Sequence, residues 1–303
     1  MKRSLIMGAA SAGRGLRVLV TSAMLSVVLA VMGAGIAPSA AVAANSVGQD
    51  GAASVFYTTS GAGNGLPNGA EIFAITVSGA TVTTRDVGPT QPSHGGDCGS
   101  LALSPHGTLY SMCGPLFGAQ QLAIINQQTG LAHLFGVPVP GLAVMALAFG
   151  PNGTLYAVGD CNPDPVTFEC IAGKDFNALY KVNVRTGAFT RIGATRAPQF
   201  FMDLTFDSRG TMLGVTTTVN PSTVPAILYR INPATGRATK LVTLAGSNAV
   251  MGLAFGRNGT LYGTDFTPAS NLYRIDPTTG VETTIAALPF GSSSGLELVN
   301  PGG

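Results

Sequence analysis

The sequence has no tryptophan, three histidines, four cysteines and only 10% charged residues in 303. Without tryptophan it lacks the side chain best suited to stacking on a sugar ring, and only seven tyrosines remain for that role. Basic character is also missing once the N-terminus is set apart. Lys2, Arg3, Arg14 and Arg17 lie in a segment with no acid, and without them Lys+Arg falls from 16 to 12 against 14 Asp+Glu. The remainder carries about −2, which gives no footing for nucleic acid or an anionic membrane surface. No C-x-x-C pair occurs, so a zinc site lacks its usual spacing. After residue 45 no window shows helical periodicity, and no apolar run approaches the ~20 residues of a spanning helix.

The N-terminus itself is distinctive. A basic stretch, "MKRSLIMGAASAGRGLR", precedes the apolar "VLVTSAMLSVVLAVMGAGIA" (18–37) and the small-residue run "PSAAVAAN". Positive region, apolar region and A-x-A site together predict an export signal over 1–44, cleaved after Ala43 or Ala44. A membrane anchor is the alternative, and the small-residue site argues for removal. No cysteine stands directly after the apolar region, so a lipid anchor is not expected. Residues 45–52 read as a linker and 53–300 as one domain, secreted or extracytoplasmic, not inserted in a membrane and monomeric.

What that domain has in quantity is repetition. "SLALSPHGTLYSM" (100–112), "ALAFGPNGTLYAV" (146–158), "DLTFDSRGTMLGV" (203–215) and "GLAFGRNGTLYGTDF" (252–266) share one pattern. Each is followed by a second unit, "QLAIINQQTGLAHLFG" (121–136), "ALYKVNVRTGAFTRIG" (178–193), "ILYRINPATGRATKLV" (227–242) or "NLYRIDPTTGVETTIA" (271–286). A degenerate copy is "EIFAITVSGATVTTRDV" (71–87). The turn glycines Gly79, Gly130, Gly187, Gly236 and Gly280 are spaced 51, 57, 49 and 44 residues apart. A period near fifty with two hairpins per repeat predicts propeller blades of four antiparallel strands, here a, b, c and d. In "FGPNGTLY" the pair Asn152-Gly153 turns the chain, and Asn-Gly accepts positive φ at both turn positions. In "YRINPATGRATK" Asn232 caps the turn, Pro233 presets φ and Gly236 takes the left-handed position. "SSGLELVN" (293–300) reads as a strand a with no b after it, and "ASVFYTTSG" (53–61) as a strand b with no a before it. Joined, they close an all-β, five-bladed β-propeller and hide the edges an open ring would expose. Six blades, with an unrecognised unit within 157–177, is the alternative.

An even cysteine count in an exported chain predicts disulfides, and three connectivities are open. Pairing of neighbours is preferred: Cys98–Cys113, which flank the His106-Gly107 hairpin, and Cys161–Cys170, which close "CNPDPVTFEC". The a–b and c–d turns are uniformly short, whereas the connections on the other face are long, which makes the long-loop face the expected binding face. Its acids include Asp97, Asp160, Asp164, Glu169, Asp175 and Asp265 against Lys174 and Arg196, so Ca²⁺ or a cationic group is a candidate ligand there. Solvated loop charge without an ion is the plainer reading. The short-turn face holds Arg185, Arg209, Arg237 and Arg257. His94 is the histidine of the loop face, a ligand or acid/base candidate beside Asp97. His106 and His133 fall on the surface. Met145, Met202 and Met251 open strand a in three blades, as packing or as a soft-metal or apolar-ligand ring near the channel. "GSSSG" (291–295) matches a nucleophile-elbow pattern around Ser293, but every histidine precedes it and no helix follows.

"GLAFGRNGTLYGTD" resembles the inner hairpin of secreted propellers of the gluconolactonase, strictosidine-synthase and NHL-repeat kind, and "LYRIDPTTG" resembles the second hairpin of exported bacterial propellers. The resemblance covers 53–300 and implies the propeller fold. In the lactonases a polar residue before "GL" binds a channel metal. The matching positions here are Gly99, Met145, Met202, Met251 and Ser294, so the ligand set is absent and the activity is not implied. Three functions stay open. The first is a non-catalytic binding or interaction module for a surface protein or glycan. The second is a metal-dependent hydrolase or lyase around Asp203, Asp265, His94 and Asp97. The third is a structural envelope protein.

Overall fold

The computed structural model describes residues 53–61, 70–91, 97–115, 119–161, 177–217, 224–246 and 249–299, and in Asp160 and Cys161 the backbone alone. Twenty strands make up the described chain, with no helix among these residues. In chain order they are β1 (Ser54–Ser60), β2 (Glu71–Ser78) and β3 (Thr81–Pro89), then β4 (Asp97–Leu103), β5 (Leu109–Gly114), β6 (Gln121–Ile125) and β7 (Ala132–Leu134). Next come β8 (Leu142–Phe149), β9 (Leu155–Cys161), β10 (Ala178–Val182) and β11 (Phe189–Ala194), then β12 (Phe200–Phe206), β13 (Met212–Thr217), β14 (Ile227–Ile231) and β15 (Ala238–Thr243). The last are β16 (Val250–Phe255), β17 (Leu261–Asp265), β18 (Asn271–Ile275), β19 (Glu282–Ala287) and β20 (Ser293–Val299).

They form five four-stranded antiparallel sheets, and the five-blade expectation holds. β4–β7, β8–β11, β12–β15 and β16–β19 each make a blade in chain order, numbered 2 to 5. The closure blade has the order β20-β1-β2-β3, with the C-terminal strand innermost. β4, β8, β12, β16 and β20 touch in a ring, each next to the following one, with β20 returning to β4. Thr58 and Ser293 hydroxyls lie 2.6 Å apart across the closing pair.

Each core cluster lies between two blades. Leu101, Leu109 and Ile125 of blade 2 pack on Tyr57, Ile72 and Ala74 of the closure blade. Leu147, Leu155 and Tyr180 of blade 3 pack on Met112 and Leu122 of blade 2. The same contact recurs between blades 3 and 4, 4 and 5, and 5 and the closure blade. All seven tyrosines are spent in these interfaces, none more than 9% exposed.

The turns keep their residues but differ in conformation from the sequence expectation. Gly153 N–H donates to the Gly150 carbonyl (2.9 Å), and Gly153 has φ 76°. Asn152 is not among the positive-φ residues, and its side chain accepts the Thr154 N–H at 3.1 Å instead. Pro151 occupies the first central position with φ held negative, so a primed turn is excluded and Gly153 alone turns left-handed. Gly107, Gly210 and Gly259 repeat this geometry. The c–d turns match the expectation: Asn232 Oδ1 accepts Ala234 and Thr235 N–H (2.9 and 3.3 Å), and Gly236 has φ 77°.

The expected disulfide Cys98–Cys113 is present, joining residues directly opposite in β4 and β5. Cys170 lies outside the described residues, as does the side chain of Cys161, so their expected pairing lies outside them too.

Candidate functional site

Every innermost strand carries an irregularity within the two residues before one aligned leucine. The pairing register shifts across Met145 in β8, Met202 in β12 and Met251 in β16. It also shifts across Gly99-Ser100 in β4 and across Gly295 in β20. These are β-bulges, which bend a strand and re-aim the residues beside them. The three methionines are therefore equivalent, as the sequence pattern implies. Met202 is 6% exposed and the other two are partly buried.

Beyond each bulge the five strands align. Leu101, Leu147, Leu204, Leu253 and Leu296 all have zero exposure. The residue before this leucine is Ser100, Ala146, Asp203, Gly252 or Gly295. Asp203, fully buried, is thus aimed across the ring of inner strands. Its Oδ1 accepts the Leu204 N–H (2.9 Å), and its Oδ2 accepts the N–H groups of Leu253 (2.7 Å) and Leu296 (3.0 Å). One carboxylate so ties blades 4, 5 and closure together. Burial pushes its pKa well above the usual carboxylate range, the three N–H donors pull it back, and Glu297 nearby pushes it up further.

The residue after the leucine is Ala102, Ala148, Thr205, Ala254 or Glu297, and the next is Leu103, Phe149, Phe206, Phe255 or Leu298. These last five are partly buried and form a collar. Around it a cavity of about 490 Å³ opens toward the a–b turns, and all five blades line it. Its wall includes the collar, small turn residues such as Ser104, Gly107 and Ser208, and two acids, Asp207 and Glu297. No Lys, Arg or His lines it. Asp207 is committed to its own turn, where Oδ1 accepts the Arg209 and Thr211 N–H groups (2.9 and 2.7 Å) and Oδ2 stands 3.8 Å from Arg209 Nε. Glu297 is different. Burial pushes its carboxyl up to about 8, and the Leu103 backbone N–H partly offsets this. A carboxyl titrating near neutrality in a cavity wall can act as a counter-charge or exchange a proton.

The cavity lies on the face opposite the one expected from loop length. On the long-loop face His94 and Asp164 lie outside the described residues, as does the Asp160 side chain. Asp97 begins β4 and is partly buried. Asp265, 2% exposed, is used internally. Its Oδ1 accepts from Thr267 Oγ1 (3.0 Å) and Asn271 N–H (2.9 Å), and its Oδ2 from Tyr273 OH (2.5 Å), building the connection into β18. The phenol is in turn pushed up, by burial first and then by Asp265. Asp203 and Asp265 thus have separate structural duties. Among the described residues no three His, Cys, Asp or Glu side chains form a group that could hold a metal ion. Ser293 opens β20, fully buried against Thr58, and does not stand on an exposed elbow. His106 and His133 are exposed, as expected.

Fold and site together define a five-bladed β-propeller with an apolar-collared, acidic axial cavity. A family described as a repeat of unknown function (DUF6923) matches residues 146–295, within the repeated region. No curated protein matches the sequence. Distant structural similarity runs to propellers of the gluconolactonase kind. A gluconolactonase from Xanthomonas campestris is 12% identical over 75% of this chain and 74% of that one, with a TM-score of 0.45. A putative 6-phosphogluconolactonase from Bacteroides fragilis is 12% identical over 82% and 98%, with a TM-score of 0.45. TolB from Acinetobacter baumannii is 11% identical over 81% of this chain and 66% of that one, with a TM-score of 0.46. None of these likenesses bears on activity.

Proposed function

We propose that the protein is an exported binding module that takes a small molecule into its axial cavity. The observation that carries this is the cavity itself: about 490 Å³, walled by all five blades, with the Glu297 carboxyl on an otherwise largely apolar collar. That volume is in the range of small-molecule sites, and the wall sets polar groups such as Ser104, Gln127 and Ser208 beside the apolar collar. Export is supported by the signal-like segment 1–44 and by the Cys98–Cys113 disulfide, which persists in oxidising compartments. A binding role is favoured over catalysis because Asp203 and Asp265 are bound up in backbone and side-chain hydrogen bonds and Ser293 is buried.

The test is thermal unfolding of the purified protein against a panel of cationic, neutral and anionic small molecules. The comparison variant is Thr205→Phe, which fills part of the cavity from a partly buried position. A ligand at a hundred times its Kd stabilises the folded state by about 2.7 kcal/mol. At least one compound is expected to raise the midpoint of the wild type and not of the variant. Equal shifts in both, or none across the panel, would sink the reading.

A further inference from the structure

Resting on the reading of the axial cavity as a ligand site, we infer that its ligand is a small organic cation, an ammonium group paired with Glu297 inside the apolar collar. Four blades place Ala102, Ala148, Thr205 and Ala254 where the closure blade places Glu297. The acid is therefore an exception to a repeat that otherwise keeps this ring small and uncharged. The repeat itself does not need it. The protein supplies no counter-charge from the wall, since the other charged wall residue, Asp207, is also an acid and faces Arg209.

The surroundings select the sign of the ligand. Below Glu297 lies Asp203, close enough to feel its charge, so an anion would meet two carboxyls. The basic residues of the a–b turns, His106, Arg209 and Arg257, are exposed and none of them lines the cavity, and Arg209 is turned toward Asp207. The collar of Leu103, Phe149, Phe206, Phe255 and Leu298 can cover the methyl or methylene groups of an alkylammonium. Glu297 is partly buried, so its carboxylate is less well solvated than in free water, which strengthens its attraction for a cation. Aromatic residues around a cation add to this where a ring face is presented.

Proton linkage follows. Burial holds Glu297 up to about 8 in the free protein, so below that pH cation uptake displaces a proton. Affinity should then rise by up to about tenfold per pH unit between pH 6 and 8 and level off above.

The experiment is calorimetric titration of the purified protein with choline, ethanolamine and putrescine, and with 3,3-dimethyl-1-butanol as the neutral isostere of choline. At least one cation is expected to bind, with the neutral isostere at least tenfold weaker than choline if choline is that cation. Glu297→Gln should lose the cation and its pH dependence. Glu297→Ala, which copies the residue found in three other blades, is the second variant should the glutamine fail to fold. If the neutral isostere matches choline, if either folded variant keeps the cation affinity, or if only neutral or anionic members of the broader panel bind in the cavity, the cation is overturned and the cavity reading stands. If nothing in the panel distinguishes wild type from Thr205→Phe, the cavity reading falls and the cation with it.

Discussion

At the scale of single residues, the two axial carboxyls divide the work of the centre. Asp203 is structural: three N–H groups from three strands converge on it where no β-ladder can satisfy them. Replacing it by alanine leaves three buried donors without that acceptor, at about 1–3 kcal/mol each if water does not enter. Removing a buried carboxyl relieves part of that cost, so urea unfolding of Asp203→Ala is expected to show a loss of about 3 kcal/mol. Asp203→Asn, whose amide oxygen can still accept from Leu253 and Leu296, should lose about 1 kcal/mol. Equal stability of Asp203→Ala and wild type would mean the carboxyl is not the clasp it looks to be. Glu297 could have been found from sequence, because aligning "SSGLELVN" with "SLAL", "ALAF", "DLTF" and "GLAF" sets it opposite three alanines and a threonine. Asp203 could be read as a candidate, but not its role. Its partners are backbone groups 50 and 93 residues away, and no side-chain pattern marks a backbone donor.

At the scale of elements, turn chemistry was the most legible feature, and its limits are instructive. The c–d turns have the expected Asx cap and left-handed glycine, because both arise from neighbours along the chain. The a–b turns depart from the primed type, because Pro105 and Pro151 fix the first central residue in two of them and the others follow the same path. What sequence spacing cannot show is what each glycine touches. A Cβ on Gly236 would stand 2.5 Å from the Gly193 carbonyl oxygen at the end of blade 3, while a Cβ on Gly79 meets nothing within 4 Å. Both have positive φ, so alanine is strained at either, at about 1–2 kcal/mol. Only at Gly236 does a clash with the next blade add to that, by about 1–3 kcal/mol. Gly236→Ala should therefore be clearly the less stable of the two in chemical denaturation. Matching losses would mean the blades can separate locally without cost.

At the scale of the whole molecule, the two ends of the sequence share one sheet. β20 contributes the innermost strand of the closure blade, the Leu296 N–H on Asp203, and Glu297 in the cavity wall. It also buries Leu296 against Phe56, Ile75 and Tyr262 at the junction with blade 5. This made the five-blade count legible, since an unpaired b-like start and an a-like end fit only if they meet. Loop length pointed to a face that the described residues cover only in part. The described cavity opens on the opposite, a–b-turn face and is walled by all five blades, with Glu297 at one register position of the shared strand. The closure strand is thus a latch that also carries Glu297 into the cavity wall. A chain ending before Ser293 leaves β1 with an open edge, β4 and β16 without their common neighbour, and Asp203 short of one donor. It is expected to lose the single cooperative unfolding transition of the intact protein and to expose apolar surface, read by dye binding. Supplying 293–303 as a separate peptide should restore part of the transition, because the pairing it lacks is a continuous antiparallel edge. A truncated chain that unfolds with unchanged midpoint and cooperativity would show that the ring does not depend on its closure.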